Sequence, residues 1–188
     1  MKPLPPIVVG VTGASGAPLA LATLEALLKY TDRPIECIFT ETARRVWVHE
    51  LPGVAIPHDP RIEYYENGDF FAPPASGSHP TRGMVVVPCS MGSLAKMAHG
   101  VADSLLLRAV DVTLKERRPL LVAPREAPLS IIHLENMASL ARAGATIVPP
   151  MLTFYHGALD ACAQATYFAY HLLQLLGVDT PRPQWGSM

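Results

Sequence analysis

IVVGVTGASGAPLALATLEALLKY, residues 7–30, is the stretch that decides the fold. Residues 7–12 are apolar or β-branched on both alternating faces, which is typical of a parallel strand covered by helices on both sides. The small, glycine-rich segment 13–17 interrupts this pattern, and from Pro18 to Tyr30 the sequence becomes helical. A strand, a glycine loop and a helix in this order predict the first unit of an α/β domain.

The same alternation continues along the rest of the chain. Strands are predicted over 35–40, 84–88, 120–123 and 146–148, and helices over 43–51, 90–99, 103–118, 131–143 and 159–176. Strands separated by helical segments predict a three-layer, doubly wound parallel sheet of the flavodoxin/Rossmann type. A length of 188 residues suits one domain over residues 1–188.

Residues 52–82 depart from this alternation. Their composition shifts to Pro, Gly, His, Asp and Ser with little periodicity, and the segment is far longer than an ordinary connection. We expect an irregular loop here, which is either disordered or functional.

The composition limits the classes of partner. Hydrophobic residues make up 49% of the chain and charged residues 16%, so either the core is large or an oligomer buries part of the surface. We favour a homo-oligomer. The formal charge of -1 offers no broad attraction to nucleic acid or to an anionic membrane.

The cysteines and the first residues indicate a cellular compartment. Cys37, Cys89 and Cys162 are scattered and lack the paired spacing of a zinc site, so we interpret them as free thiols in a reducing cytoplasm. The first residues lack the basic start and cleavage site of a signal peptide. No apolar run approaches the roughly 18 residues of a membrane span.

The glycine loop is a candidate phosphate site, because ligands of an open parallel sheet gather beyond the carboxyl ends of its strands. Gly13 and Gly16 allow close approach of an anion, Ser15 offers a hydroxyl, and the following helix offers unpaired N–H groups. The motif is weak, and the glycines equally suit a tight turn. Thr40 could bind a phosphate, although capping the next helix is its better default.

Two pairs of charged residues are further candidates. Arg108 and Lys115 are seven apart, so they share a helix face about 10 Å apart, where they could grip a phosphate or simply be solvated. Arg125 and Glu126 follow the strand 120–123 at the binding edge of the sheet. The alternative for this second pair is an ion pair that braces the loop.

Six segments carry a family pattern: GVTGASGA (10–17), SGS (76–78), GMVVVPCSM (83–91), LLLRAVDVTLKERRPL (105–120), PREAPL (124–129) and PPMLTFYH (149–156). In this order and spacing, they resemble the UbiX-type flavin prenyltransferases. The resemblance implies FMN binding and transfer of a dimethylallyl group from dimethylallyl phosphate to reduced FMN. It also implies that prenylated FMN serves a UbiD-type decarboxylase, and that the oligomer is a dodecamer.

The resemblance implies roles for individual residues. Glu126, Lys115 and Glu50 would be catalytic, with Glu126 at the prenyl site and Glu50 beside the flavin. Arg125 would touch FMN, while Lys115 and Tyr155 would hold the prenyl phosphate. The other residues implied in cofactor binding are Gly13, Ala14, Ser15, Thr40, Cys89, Ser90, Met91 and Arg108. Cys89 is equally well explained as a buried thiol, and His99, His133 and His156 as surface or capping histidines.

The implied mechanism begins with attack of the reduced flavin nitrogen N5 on the allylic carbon. Lys115 and Arg125 would stabilise the departing phosphate, so no metal is required. Ring closure at flavin carbon C6 must remove a proton, for which Glu126 or the released phosphate is the candidate base.

The sequence departs from the family at its C-terminal end. The family carries an arginine or lysine roughly 16 residues after the tyrosine, where this chain has His171, and no Arg or Lys occurs between Arg142 and Arg182. His171 can replace a cation only if it is protonated, which needs a pKa at or above about 6.5.

The missing cation motivates one alternative to prenyl transfer, and a related group that shares the fold is a second. One is an FMN-binding protein without transferase activity, acting as a flavin carrier or as an accessory subunit of a decarboxylase. The other is the related FMN-dependent cysteine decarboxylase group, whose P-A-S-A-N-T stretch is absent, because Pro88-Cys89-Ser90-Met91 takes its place.

Overall fold

The computed structural model describes residues 4–157, 159–183 and 186. Within them, the strands are β1 (Ile7–Val11), β2 (Ile35–Phe39), β3 (Ile62–Glu66), β4 (Gly83–Cys89), β5 (Leu120–Pro124) and β6 (Thr146–Ile147). The helices are α1 (Ala17–Tyr30), α2 (Glu41–Glu50), α3 (Met91–Ala98), α4 (Leu105–Lys115), α5 (Ile131–Arg142) and α6 (Ala161–Leu175).

The strands form one parallel sheet in the order β3-β2-β1-β4-β5-β6. The predicted doubly wound α/β class is therefore confirmed. Because the order reverses between β1 and β4, connections leave these two strands toward opposite sides and open a crevice at their carboxyl ends.

Apolar cores lie on both faces of the sheet, which explains why β1 is apolar at every position. Val9 packs into a core with α1 and α6, while Val8 packs into a core with α4. Gly10 allows α4 to approach closely, since a Cβ atom there would lie 3.2 Å from Leu106. Close packing of this kind tolerates little added volume.

The predicted irregular loop over 52–82 is wrong in one respect, because it contains β3 and a short 3₁₀ helix at Pro73–Ala75. β3 pairs only with β2 among the described strands, and its segment IEYYE buries Ile62 alone. Charged residues are usual on such an edge strand, and they conceal the apolar alternation by which strands are recognised.

The end of this segment is held by long-range contacts. The His79 ring lies 2.8 Å from the buried carboxylate of Glu36 on β2, and Arg118 donates to the carbonyl oxygens of Gly77 and His79. Burial raises the pKa of Glu36, and the neighbouring His79 opposes that rise.

The three cysteines are free thiols, as predicted. Cys37 and Cys89 are buried and Cys162 is exposed. Burial raises the pKa of Cys37 and raises that of Cys89 to about 12, so neither thiol is reactive at neutral pH. Across the described residues, none of the helices combines the length and apolarity needed to cross a bilayer.

Candidate active site

The glycine loop follows β1 at the carboxyl edge of the sheet, as predicted, but a side chain of the protein occupies part of it. One carboxylate oxygen of Glu50 accepts hydrogen bonds from the N–H groups of Gly16 and Ala17, at 2.8 and 2.7 Å. Gly16 is the N-cap of α1 and has no side chain of its own to cap the helix. Glu50 supplies that cap, so these two amides are not available to a phosphate while it stays in place.

The environment of Glu50 keeps it ionised. Burial raises its pKa, but hydrogen bonds from Ser15, Gly16 and Ala17 and the charge of Arg125 outweigh burial, and the pKa lies below its ordinary value. A carboxylate at the N-terminus of a helix is favoured by the same unpaired N–H groups that bind anionic ligands.

Arg125 follows β5 and reaches across to the glycine loop. Its Nε donates to the carbonyl oxygen of Ser15 at 3.0 Å, so these positions, 110 residues apart in the chain, meet in space. The alternative of an Arg125–Glu126 pair is not what the structure contains, because Glu126 is exposed and its carboxylate accepts the Ala127 N–H at 3.1 Å.

A cleft of about 350 Å³ opens between Arg125 and α6. Its lining is mainly apolar, and it continues past Ser15 toward His49 and Glu50. The lining residues are Ser15, Gly16, Leu19, Arg125, Pro150, Met151, Leu152, Ala161, Gln164, Ala165 and Phe168. A flat aromatic ring or a prenyl chain suits such a cleft, which offers apolar walls and one fixed cation.

A second cavity, of about 410 Å³, lies where three helices begin. Thr40, Ser90 and Ser104 are the N-caps of α2, α3 and α4, and all three line this cavity together with Lys96. Capping, the default expected for Thr40, is confirmed by the bond from the Ala43 N–H at 3.1 Å. Three helix N-termini together create a positive potential that favours an anion.

The cofactor candidates Cys89, Ser90 and Met91 lie at the end of β4 and the start of α3. The Ser90 N–H donates to the Thr12 hydroxyl at 2.7 Å, and that hydroxyl donates to Pro88, which fixes the ends of β1 and β4 together. Cys89 is fully buried, which agrees with its interpretation as a buried thiol. Met91 is the partly buried first residue of α3.

Lys115 and Arg108 do not meet Arg125 or Glu126 within one chain. Lys115 ends α4, close to Pro119, whose carbonyl accepts the N–H of Met84 at the start of β4. It therefore lies at the amino edge of the sheet, and a five-residue strand separates the two edges by about 16 Å. Lys115 pairs with Glu116.

Arg108 lies one to two turns earlier on α4 and is also engaged. Its guanidinium bonds Asp111 at 2.5 Å and the carbonyl oxygen of Ala75 at 3.1 Å. The predicted common helix face exists, but both cations have acidic partners, and neither touches the glycine loop.

Tyr155 lies in a cluster of aromatic rings beside α6. Its hydroxyl is hydrogen-bonded to that of Tyr167, and the ring of His156 stacks on Tyr167 with centroids 3.7 Å apart. His156 is therefore packed on one face and remains partly exposed.

The surroundings of His171 oppose its protonation. It is half-buried on α6, and burial first, then the charge of Arg182, lowers its pKa below the ordinary value. The protonation that a phosphate ligand would need is therefore disfavoured, and the role of His171 as a substitute cation stays a prediction.

Sequence reasoning missed Tyr167, Arg182 and Thr12. In the sequence, Tyr167 and Thr12 cannot be told from ordinary core residues. In the structure each is almost fully buried, and its polar partner belongs to another segment of the chain. Arg182 was recognisable in the sequence as an isolated cation, because it is the first Arg or Lys after Arg142. Among the described residues, no group of three or more His, Cys, Asp or Glu side chains could hold a metal.

Comparisons with known proteins agree with this architecture. The flavoprotein family model matches residues 1–168. The flavin prenyltransferase UbiX of Pseudomonas aeruginosa is 38% identical over 198 residues, covering 96% of this chain and 94% of that protein. A probable UbiX-like flavin prenyltransferase of Escherichia coli O157:H7 is 44% identical over 151 residues, covering 80% and 77%.

Solved structures are similar over nearly the whole chain. A dodecameric FMN-dependent UbiX-like decarboxylase from Escherichia coli O157:H7 has a TM-score of 0.89 at 39% identity, covering 95% of this chain and 98% of that one. AnUbiX (PadA1) in complex with FMN and dimethylallyl pyrophosphate has a TM-score of 0.90 at 35% identity, covering 98% and 99%.

Proposed function

The chain belongs to the UbiX-type flavin prenyltransferases of the flavoprotein family, and on this premise we propose that it transfers a dimethylallyl group from dimethylallyl phosphate to reduced FMN. The observation that carries the proposal is the bond from Arg125 to Ser15, which closes one side of the cleft. It joins a fixed cation to apolar walls, and a donor with a charged phosphate and a short apolar chain needs both.

We place the phosphate of FMN in the cavity where α2, α3 and α4 begin. This cavity offers a donor set that fits a dianion. The donors are three helix N-termini and the hydroxyl groups of Thr40, Ser90 and Ser104. The isoalloxazine would then extend past the glycine loop toward Arg125, with Gly13, Ala14 and Ser15 beside it. Loss of FMN affinity in Ser90→Ala, measured by fluorescence titration, tests this placement.

When bound, reduced FMN supplies the nucleophilic atoms N5 and C6. As N5 bonds to the allylic carbon, the carbon–oxygen bond breaks and its electron pair leaves with the phosphate, whose developing charge Arg125 stabilises. The phosphate takes the proton that N5 loses. Glu50, which hydrogen bonds keep ionised, orients the glycine loop beside the ring.

Ring closure moves two further protons, and we assign both transfers to Glu126. The middle carbon of the prenyl group must gain a proton, and flavin C6 must lose one as its bond to the prenyl group forms. Glu126 is an exposed carboxylate next to Arg125. It would relay to the prenyl carbon the proton that the phosphate took from N5, and would then accept the proton that C6 loses, so that it ends as a carboxylate again.

Lys115 can act in the same reaction only if it comes from a second chain, because its own sheet separates it from Glu126. We therefore propose a homo-oligomer, as in the dodecameric relative, with sites at the contacts between subunits. Large apolar side chains lie exposed on the surface, as expected of subunits that associate. They include Val48, Phe71, Ile131, Met151 and Leu159.

Mixing two inactive variants tests the shared site. Lys115→Ala and Glu126→Gln each remove one residue from every site, so each variant alone is expected to be inactive. When they are denatured and refolded together in equal amounts, about one quarter of the sites regain both residues, and activity should return to that fraction of the wild type. A mixture as inactive as its components would contradict a shared site.

The direct test of prenyl transfer is mass spectrometry of the flavin. The protein is incubated without oxygen with reduced FMN and dimethylallyl phosphate, and the flavin is expected to gain the mass of one C5H8 unit. An unchanged mass with FMN still bound would support the alternative, an FMN-binding protein without transferase activity.

We also propose the setting in which the reaction takes place. The product, prenylated FMN, would pass to a UbiD-type decarboxylase in the cytoplasm, and residues 1–188 would form the single domain that makes it. Co-elution of the flavin product with an added decarboxylase of that type would support this transfer.

A further inference from the structure

The irregular segment 76–79 lies against the end of α4 that carries Lys115. A Cβ atom added at Gly77 would lie 2.6 Å from the Nζ atom of Lys115 and still closer to the carboxylate of Glu116. Such separations are shorter than van der Waals contact, so a glycine is needed unless the side chains move. Lys115 also pairs with Glu116. Its amine is therefore confined between the backbone of Gly77 and this carboxylate.

Two anchors fix the segment in this place. Arg118 donates to the carbonyl oxygens of Gly77 and His79, both at 2.8 Å, and ties the backbone of the segment to the end of α4. The ring of His79 is the second anchor, because its Nε2 atom lies 2.8 Å from a carboxylate oxygen of Glu36 on β2. The segment is thus joined to the helix by its backbone and to the sheet by a side chain.

The anchor on β2 is costly to release. Glu36 is 6% exposed, and its second carboxylate oxygen is buried without a partner among the described residues. Without His79, neither oxygen of this buried carboxylate would keep the partner it has now, which is unfavourable. The bond therefore opposes any movement of the segment away from α4, although His79 itself lies in a loop and is partly exposed.

We propose that the bond between His79 and Glu36 is a latch that positions Lys115 for the reaction. It holds Gly77 against the amine, so the amine keeps one position when it meets a donor in a neighbouring subunit. His79 and Glu36 are positioning residues, because they act through Lys115 and do not touch the donor. The inference rests on the proposed prenyl transfer and on the role of Lys115 at the donor phosphate.

Fixing this amine in advance favours both binding and transfer. Lysine has a long, flexible side chain, and ordering it when a ligand binds costs conformational entropy. A site that is already ordered avoids that cost, so it binds the same ligand more tightly. Misplacing a reacting group by about 1 Å can lower a rate about 100-fold.

The affinity for dimethylallyl phosphate, measured by calorimetry with and without oxidised FMN, tests the latch while no transfer takes place. His79→Leu removes the bond and should lower this affinity about tenfold. His79→Gln keeps an N–H group at about the place of Nε2 and should recover most of the loss. His58→Leu is the matched control, because His58 is an exposed histidine in the same loop region, and it should change the affinity less than about twofold.

Steady-state kinetics separate the latch from a general loss of structure. In His79→Leu, KM for dimethylallyl phosphate should rise, while the affinity for FMN, measured by fluorescence titration, should stay that of the wild type. A fall in FMN affinity equal to the fall in donor affinity would contradict a role confined to Lys115.

A double-mutant cycle shows whether the latch acts through Lys115. Lys115→Met removes the amine, so adding His79→Leu should lower the donor affinity no further. Losses that simply add would show that His79 acts elsewhere, and they would overturn the proposal. Unchanged donor affinity in a folded His79→Leu, or in Lys115→Met, would overturn it as well.

Gly77→Ala decides the matter if His79→Leu does not fold, as judged by circular dichroism. Its Cβ atom displaces the flexible end of Lys115 while the latch stays closed, so the donor affinity should fall, and no further in combination with Lys115→Met. Unchanged affinity in Gly77→Ala would then refute the latch. Failure of prenyl transfer itself is distinguishable, because the wild type would still bind the donor through the latch while the mass of the reduced flavin stays unchanged.

Discussion

Removing the charge of Glu50 should destabilise α1 at its first turn. The substitution Glu50→Gln keeps the size of the side chain and one oxygen acceptor, but the bonds from Gly16 and Ala17 at 2.8 and 2.7 Å lose their ionic character. Hydrogen bonds to charged groups are roughly twice as strong as neutral ones. The charge also interacts with the helix dipole, which contributes about 0.3–1 kcal/mol.

The two effects together give an expected loss of about 1–1.5 kcal/mol in the free energy of unfolding. For a domain of this size, about 1 kcal/mol corresponds to roughly 2–4 °C, so Tm should fall by about 3–5 °C at pH 7. Glu50→Ala removes both hydrogen bonds and should cost about 2–3 kcal/mol.

The difference between wild type and Glu50→Gln should depend on pH. Hydrogen bonds from Ser15, Gly16 and Ala17 lower the folded-state pKa of Glu50 below the unfolded value, which is about 4.3. A lowered carboxylate pKa stabilises the folded state fully above the unfolded pKa, and this contribution is lost as pH falls through the folded pKa. The difference in Tm should therefore be constant from pH 7 to pH 5 and shrink below about pH 4.

Thermal unfolding followed by circular dichroism at pH 7, 5 and 3.5 is the assay. Glu25→Gln is the matched control, because Glu25 is an exposed acid on α1, the helix that Glu50 caps. Equal Tm values for wild type and Glu50→Gln at pH 7, or a difference that persists unchanged at pH 3.5, would refute the view that this carboxylate caps α1.

Two further predictions concern α4 and the thiols. Arg117 follows the C-cap of α4 with a φ of 54°, a left-handed conformation that favours glycine. Arg117→Gly should therefore raise the free energy of unfolding in urea by about 0.5 kcal/mol, while Arg117→Ala should not. Native protein treated with iodoacetamide should carry one label, on Cys162, because Cys37 and Cys89 are buried; two or three labels by mass spectrometry would contradict this packing.

Much of the fold follows from local sequence patterns. The apolar run 7–12 and its glycine loop predict β1 and the start of α1, and the structure has both within one residue. The position of Arg125 at the binding edge was equally predictable, because a charged residue directly after a buried strand has only that place in a parallel sheet. Such patterns are encoded within a few residues, so the sequence alone expresses them.

Other features were not predictable in this way. β3 was missed because an edge strand buries only part of its surface and therefore shows no apolar alternation. Lys115 and Glu126 belong to segments that resemble one family, but no local pattern shows that the intervening strand β5 puts them at opposite edges of the sheet within one chain.

By itself, the sequence determined the class of fold, the order of its elements and the edge at which ligands bind, because these depend on periodicity and on short-range steric rules. Only the tertiary structure decided that Glu50 caps the first helix, that Arg182 reaches Tyr167, and that burial lowers the pKa of His171. These contacts join segments far apart in the chain, and their energies depend on burial and distance, which no local pattern contains.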